Sequence, residues 1–328
     1  MSRLSYAKKT YTMCRKIHKL RGGMTLRYFA DAMKCSYEQG TSPENYFVLR
    51  FFELSQQERE TYLTSGRSKK ADKYLNRNAS EEDRKTLASK HLFNKAFKGL
   101  VKRKFLYAPE VDFDEFQAFC KPNSEFIIKP DKGTQGKGVK KISALEIEDK
   151  KSFFSELQKS SFLIEQVIKQ HSELSKINPY SINSIRINAA RGNKGITLVG
   201  ACIKCGVGNQ ISDNFHAGGI AYPVDLKTGS ITGPGRNNAD LNEYKYHPGT
   251  GIEMPGFKIP MWDKVIECVY KGMDMVKSLG YIGWDIALTP EGPEIIEGNF
   301  SWPGGNIIQF DRVGKYPIIL SCCGERNE

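Results

Sequence analysis

Segment 282–300 (IGWDIALTPEGPEIIEGNF) constrains the fold more than any other stretch. Two apolar runs flank Thr289-Pro-Glu-Gly-Pro293, a composition that forces the chain to reverse. Pairing symmetric about residue 291 sets Asp285 directly opposite Glu297. Strand side chains alternate faces, so Glu297 and Asn299 project with Asp285, while Ile286, Leu288 and Ile296 face a core. Two carboxylates opposed across a ladder repel. A divalent cation between them removes that penalty, and Asp, Glu and Asn oxygens suit Mg²⁺. The competing reading is two acids on a solvated face, which the apolar neighbours Trp284, Phe300 and Trp302 disfavour.

A second feature is Lys129-Pro-Asp-Lys-Gly-Thr-Gln-Gly-Lys137-Gly-Val139, between two short strand signals. Glycines let a backbone approach phosphate oxygens, and lysines supply the opposing charge. The glycine spacing is not that of a Walker A loop, and Gly138 stands where Ser or Thr would be needed. No helical pattern follows, so it is not a Rossmann fingerprint either.

Around these features the chain reads as mixed helix and strand. Segment 43–66 reads as helical, opening at Ser42-Pro43, with the capping pattern Ser55-Gln-Gln-Glu58 and a close near Gly66. Ser80-Glu-Glu-Asp83 starts another helix that carries Leu87, Leu92, Phe93, Phe97 and Leu100 at helical spacing. Residues 126–130 and 161–168 read as strands, 144–159 as helix, and 181–232 as strands and turns. The polar stretch 234–260 is too long for an ordinary connection, which marks it as functional or mobile. Residues 261–279 form an amphipathic helix whose stripe of Trp262, Val265, Ile266, Val269, Met273, Val276 and Leu279 is core.

Charge is uneven. Residues 1–104 hold 24 Lys and Arg against 10 Asp and Glu, whereas the rest is nearly balanced. The first third is therefore a basic module that could steer an anionic partner: nucleic acid, an anionic membrane face or an acidic glycan. Solvated lysine-rich helix faces are the alternative. Eight cysteines in 328 residues are too dilute for a disulfide scaffold. Cys202 and Cys205 have metal or redox spacing but lie in an apolar strand-like run without a second ligand pair. No apolar run is long enough to span a bilayer, and the basic N-terminus lacks the apolar stretch of a secretory signal, so the expectation is a cytoplasmic protein.

The order of these features resembles the ATP-grasp superfamily: Lys129 at a strand end, the Gly/Lys loop, Glu165-Gln-Val-Ile168, Arg186, then Asp285 and Glu297-x-Asn299. SINSIRI (181–187), EQVIKQH (165–171), FHAGGIAYPVD (215–225) and GWDIALTPEGPEIIEGNFSWPGG (283–305) are similar to its sugar-transfer-associated members. The resemblance implies an α+β fold in which two subdomains clasp ATP between antiparallel sheets. It divides the chain into a basic helical region (1–104), a small subdomain with a glycine-rich lid (105–170) and a large subdomain with the metal site (171–328).

By that resemblance, Lys129 contacts the α- and β-phosphates. The lid Gly133–Gly138, including Gly136, folds over them, with Lys137 as a further contact. Glu165, Gln166, Val167 and Ile168 form the hinge that reads the adenine edge. Gln170 and His171 stand near the usual ribose position, and Glu173 lies slightly late for it. Asp285, Glu297 and Asn299 fall on the metal-ligand positions for Mg²⁺, with Mn²⁺ as the alternative. Arg186 is the partner for the γ-phosphate or an acyl phosphate. His216 is a candidate hydrogen-bonding partner for substrate or phosphate, as is His247, while Asn183 would face the other side of a regular strand.

The activity implied is ligation of a carboxylate to an amine or another nucleophile through an acyl phosphate. Amino acids, peptides, sugar acids and anionic glycan precursors are the substrate classes, and 234–260 and the basic N-terminal region are the candidates for recognising them. An ATP-grasp kinase acting on a hydroxyl is the alternative, and a non-catalytic nucleic-acid-binding protein the more distant one.

Overall fold

The computed structural model describes residues 3–133, 137–210, 213–301 and 303–324. Gly136, named above for the lid, lies outside the described residues. The first hundred residues are helical. Arg3–Arg21 and Thr25–Gln39 form a hairpin, followed by Pro43–Val48, Gln56–Thr61, Ser65–Leu75, Glu81–Ala88 and Lys90–Ala96.

The single helix expected over 43–66 is broken, and its capping residues explain why. Ser42 caps Pro43–Val48, Arg50 adopts a left-handed φ of 53°, and Ser55 with Glu58 forms a complete capping box that starts a new helix. A capping box is a start signal and cannot sit inside a helix without ending what precedes it. Gly66 is no terminator: it lies inside Ser65–Leu75 and donates its N–H to the Gly40 carbonyl at 2.8 Å, an approach that a Cβ on either glycine would block.

Among the described residues nine strands form two antiparallel sheets. β1 (Phe105–Tyr107), β2 (Glu125–Pro130), β3 (Lys140–Ser143) and β4 (Phe162–Gln166) make the small sheet in the order β1-β4-β2-β3. Helices Phe113–Cys120 and Lys150–Lys159 cover it through Phe116, Phe119, Phe154 and Leu157. The helix expected from residue 144 starts only at Lys150, because Asp149 caps it by accepting the N–H groups of Lys151 and Ser152.

The large sheet holds β5 (Ile185–Gly192), β6 (Gly195–Cys205), β7 (Ile220–Val224), β8 (Tyr281–Thr289) and β9 (Gly292–Asn299) in the order β7-β6-β5-β8-β9. Each of its faces is covered. Ile185, Ile187, Ile203, Ile282, Trp284 and Ile286 pack under helix Trp262–Met275, while Ala190, Cys202, Ala221 and Tyr281 pack against the N-terminal helices. Burial on both faces is why β8 reads as one apolar run interrupted only by Asp285. Helix Trp262–Met275 turns Val265, Val269 and Met273 inward, each worth about 1.5–3 kcal/mol of burial. A Cβ on Gly272 would stand 3.0 Å from Ile295 and 3.3 Å from Trp284, so glycine lets the helix lie close on the β8–β9 hairpin.

The segment 234–260 is pinned. Isolated bridges join Gly235 to Tyr244, Tyr246 to Glu253 and Ser230 to Lys258, and Met254 and Ile259 belong to the core. Cys202 and Cys205 point to opposite faces of the sheet, each into a different core, so they cannot grip one ion.

Candidate active site

The two sheets face each other across a cleft of about 1300 Å³. Its walls are Lys129, Val139, Lys141, Glu165 and Gln166 from the small sheet side and Arg186, Lys204, Asp285, Glu297 and Asn299 from the large one. Among the described residues eight Lys and Arg side chains line it against four acidic ones, which suits a polyanion.

The hairpin reaches its expected register by an unexpected route. Thr289 pairs with Gly292 and Ile286 with Ile295, so the turn is centred half a residue before position 291. A bulge at Ile296 then restores Asp285 opposite Glu297. Ile296 therefore leaves the core, is half-buried and lines the cleft, contrary to the regular alternation.

The same row continues across the sheet, with Glu297, Asp285, Arg186 and Cys202 lying in register on β9, β8, β5 and β6. Arg186 grips Asp285 with both forks, Nε to Oδ1 at 2.7 Å and Nη2 to Oδ2 at 2.6 Å, and gives Nη1 to the Pro303 carbonyl at 2.9 Å. Lys204 reaches across β5 to place its Nζ 3.0 Å from Asp285 Oδ1. Part of the positive charge that the opposed acids demand is thus supplied by the protein. Burial would raise the Asp285 pKa, but Arg186 and Lys204 hold it below the usual carboxylate range. Glu297 has no cation at ion-pair distance among the described residues, Lys204 acting on it only from farther away. Burial and then the facing Asp285 push its pKa up, and the Asn299 amide, 3.1 Å from Oε1, opposes this only in part. Gly304, at φ 75°, lets the guanidinium fit, since a Cβ there would meet Arg186 Nη1 at 2.5 Å.

The opposite wall is differently organised. Lys129 Nζ lies 2.7 Å from Glu165 Oε2, Arg103 Nε lies 3.1 Å from the same oxygen, and Asn94 donates to Oε1 at 2.6 Å. Arg103 extends to Glu294 on β9 at 2.5 Å and to the Ile295 carbonyl at 3.1 Å. One buried chain of charges therefore ties β4 of the small sheet to β9 of the large one. Burial alone would raise the Glu165 pKa, but Arg103 and Lys129 bring it down to about 2. Gln166, Val167 and Ile168 line the cleft beside it, Gln166 donating its N–H to the Lys104 carbonyl at 2.9 Å and accepting from the Lys104 N–H on Oε1 at 3.4 Å. Gly133, Lys137 and the exposed Gly138 line or border its lid side, and Gly138, at φ 79°, packs against Pro130 where a Cβ would clash at 2.9 Å.

Lys90 was not singled out by the sequence. The helix expected to run on from Ser80 breaks at Ser89, whose extended backbone both ends Glu81–Ala88 and caps Lys90–Ala96. Asp131 holds that break, accepting from Ser89 Oγ and the His91 N–H, both at 2.8 Å. Lys90 then donates to the carbonyls of Asp131 at 3.2 Å and Gly133 at 3.0 Å, in the cleft. The signal available was Ser89 followed by Lys90, a second cap inside an apparent helix.

Other candidates are already engaged. Gln170 and His171 also line the cleft, but Gln170 gives its amide to the Asn178 and Ser181 carbonyls at 3.1 and 3.3 Å and accepts from Asn183. His171 Nδ1 caps helix Ser172–Ile177, and Glu173 pairs with Lys176 at 2.7 Å. Asn183 is buried, bonded to the Leu174 and Asn178 carbonyls. His247 is buried 2.9 Å from the Gly206 carbonyl, outside the cleft walls, and burial lowers its pKa. His216 does line the cleft, with Nδ1 3.3 Å from Glu44 of the N-terminal region. No described residue of 234–260 lines it.

The residues fit a hard divalent cation: two opposed carboxylates supply oxygen donors, Glu297 carries a raised pKa that a cation would relieve, and the Asn299 amide, whose NH₂ now faces both acids, would add its oxygen on turning over. A two-sheet clasp with a lysine-bearing lid on one side and this hairpin on the other defines an ATP-grasp fold. The profile of the sugar-transfer associated ATP-grasp family matches residues 70–313, and the chain belongs to that family.

Solved structures of similar fold include N5-carboxyaminoimidazole synthetase from Staphylococcus aureus complexed with ADP, at 13% identity and TM-score 0.48, covering 76% of this chain and 55% of that one. D-alanine-D-alanine ligase from Helicobacter pylori matches at 12% identity and TM-score 0.44, covering 73% and 60%. L-amino acid ligase from Bacillus licheniformis matches at 12% and 0.42, covering 74% and 48%. The chain thus spans about half of the length of these structures. Comparison with curated protein sequences gives no match.

Proposed function

We propose that the chain is an ATP- and Mg²⁺-dependent ligase that joins a carboxylate to an amine or another nucleophile. The observation that carries this reading is the opposition, across one cleft, of Lys129 and Lys90 to the Asp285, Glu297 and Asn299 set. Lysines on one wall suit a triphosphate, and an oxygen-donor set on the other suits the cation that accompanies it. The cleft exceeds the 300–1,000 Å³ or so typical of a single-ligand pocket, which leaves room for a second substrate.

In this reading Lys129 and Lys90 neutralise phosphate oxygens and hold the nucleotide in line, while Glu165 and Arg103 fix Lys129. Mg²⁺, when bound, neutralises charge on the β- and γ-phosphates, and Asp285, Glu297 and Asn299 are the residues that would hold it. Arg186 orients Asp285 and keeps it ionised. A substrate carboxylate oxygen attacks the γ-phosphorus and ADP leaves, forming an acyl phosphate. The amine nitrogen then attacks the acyl carbon, phosphate departs, and the amine loses a proton. Tyr180, His216 and Asn306 also line the cleft and are the residues assigned to these acceptors, with amino acids, peptides and sugar acids as the class.

The test is ADP release with a panel of carboxylates and amines, comparing wild type with Glu297→Ala. ADP with free phosphate and a condensed product supports ligation. ADP with a phosphorylated hydroxyl identifies a kinase instead, and a broad panel without metal-dependent turnover contradicts both.

A further inference from the structure

The helical hairpin of Arg3–Arg21 and Thr25–Gln39 takes no part in the cleft. Its inner faces are buried: Cys14 and Ile17 from the first helix and Ala32 and Cys35 from the second enter the core beneath the large sheet. Its outer faces are unusual. Seven of the fifteen exposed large apolar side chains among the described residues fall within this stretch, about a ninth of the chain. Leu26, Met33 and Tyr37, the last 93% exposed, follow a helical i, i+7, i+11 spacing with Ala30 between them. At the hairpin tip Leu20, Met24 and Leu26 are each more than half exposed, around the turn at Gly22–Gly23. An apolar patch of this kind calls for a partner.

The charge around it says which. Residues 1–39 carry nine Lys and Arg against two Asp and Glu. Lys8, Arg15, Lys19 and Arg27 are exposed and, among the described residues, form no ion pair. Lys8, Tyr11, Arg15 and Lys19 recur at i, i+3, i+7, i+11 on the outer side of the first helix. A second copy of this surface would bring like charges together. An acidic glycan would find the lysines but give Leu20, Met24 and Leu26 nothing to bury against. A sheet of anionic headgroups over hydrocarbon satisfies both.

We propose that this hairpin docks the protein on an anionic membrane surface, with Leu20, Met24 and Leu26 entering the headgroup boundary and Lys8, Arg15, Lys19 and Arg27 lying against the lipid charge. The proposal is independent of the catalytic reading, since no residue of the hairpin lines the cleft.

The test is co-sedimentation of the full chain with vesicles of phosphatidylcholine alone and with vesicles containing about one-third phosphatidylglycerol. The expected result is binding to the anionic vesicles at least about tenfold stronger than to the neutral ones, released by high salt. Lys19→Ala with Arg27→Ala, and separately the triple change of Leu20, Met24 and Leu26 to Ser, should each weaken it by about tenfold or more. These side chains are exposed, so thermal unfolding should be unaltered. Equal affinity for neutral and anionic vesicles, or no sedimentation at low salt, overturns the proposal. So does RNA binding or self-association that the serine variant abolishes while vesicle binding persists unchanged.

Discussion

Glu165 on the small sheet and Glu297 on the large one look into the same cleft, yet their pKa values are driven in opposite directions. Burial penalises both charges. Around Glu165 the cations are shared out, with Lys129 at 2.7 Å and Arg103 at 3.1 Å, and the carboxylate is held down to about 2. On the large sheet Arg186 and Lys204 both pair with Asp285, while Glu297 faces that acid with an amide as its hydrogen-bond partner and Lys204 and Lys90 acting on it only at longer range. The same residue type in the same cleft is therefore a finished structural ion pair in one place and an unfinished charge in the other. Completion of the second by a cation is what the proposed chemistry requires.

The comparison can be broken by substitution. Glu297→Ala should reduce metal-dependent ADP release by about 10³-fold or more, as expected for losing several kcal/mol of metal-borne stabilisation. Its stability should hold or rise, since the change removes a repulsive contact. Glu165→Gln should do the reverse to stability. It strands Lys129 and Arg103 as buried cations, a loss of about 3–5 kcal/mol measurable by denaturant titration. Equal stability losses in the two variants would erase the distinction. Lys90 lies on the wall facing the hairpin, bonded to the Gly133 carbonyl and within the electrostatic reach of Glu297. Lys90→Ala should weaken nucleotide binding by about tenfold, a smaller effect, read by calorimetry.

The signs of the pH dependence differ too. Glu165 sits below its unfolded value of about 4.3, so its stabilisation is complete above that pH and lost as the pH falls towards 2. Glu297 is raised, so the folded state favours its protonated form at low pH. That contribution is lost as the pH rises through the raised value, unless a cation takes the proton's place.

Much of this site was legible in residues alone because it rests on local pairing. The hairpin brought Asp285, Glu297 and Asn299 to one side, and the stripe within 261–279 read as core, although the helix itself ends at Met275, and Val276 and Leu279 are buried beyond it. What escaped depends on long-range geometry. Arg103 meets Glu165 and Glu294 at separations of 62 and 191 residues, and no local pattern encodes those meetings. The bulge at Ile296 shifts a register by one residue, which composition cannot show. Lys90 was hidden because the helix pattern is continuous through Ser89, and only Asp131, 42 residues on, enforces the break. The 234–260 segment looked like a free loop because isolated bridges leave no strand periodicity.

The central claim is that the Asp285–Glu297 pair releases a proton when a cation binds. Calorimetric titration of Mg²⁺ with ADP present, in two buffers of different ionisation enthalpy and at pH values just above the ordinary carboxyl range of about 4 to 5, reads that proton as the excess over what the ADP phosphate itself releases. The account predicts an excess in the wild type that fades as the pH rises and that Glu297→Gln lacks. No excess at any pH, or an excess that the Gln variant retains in full, would contradict it.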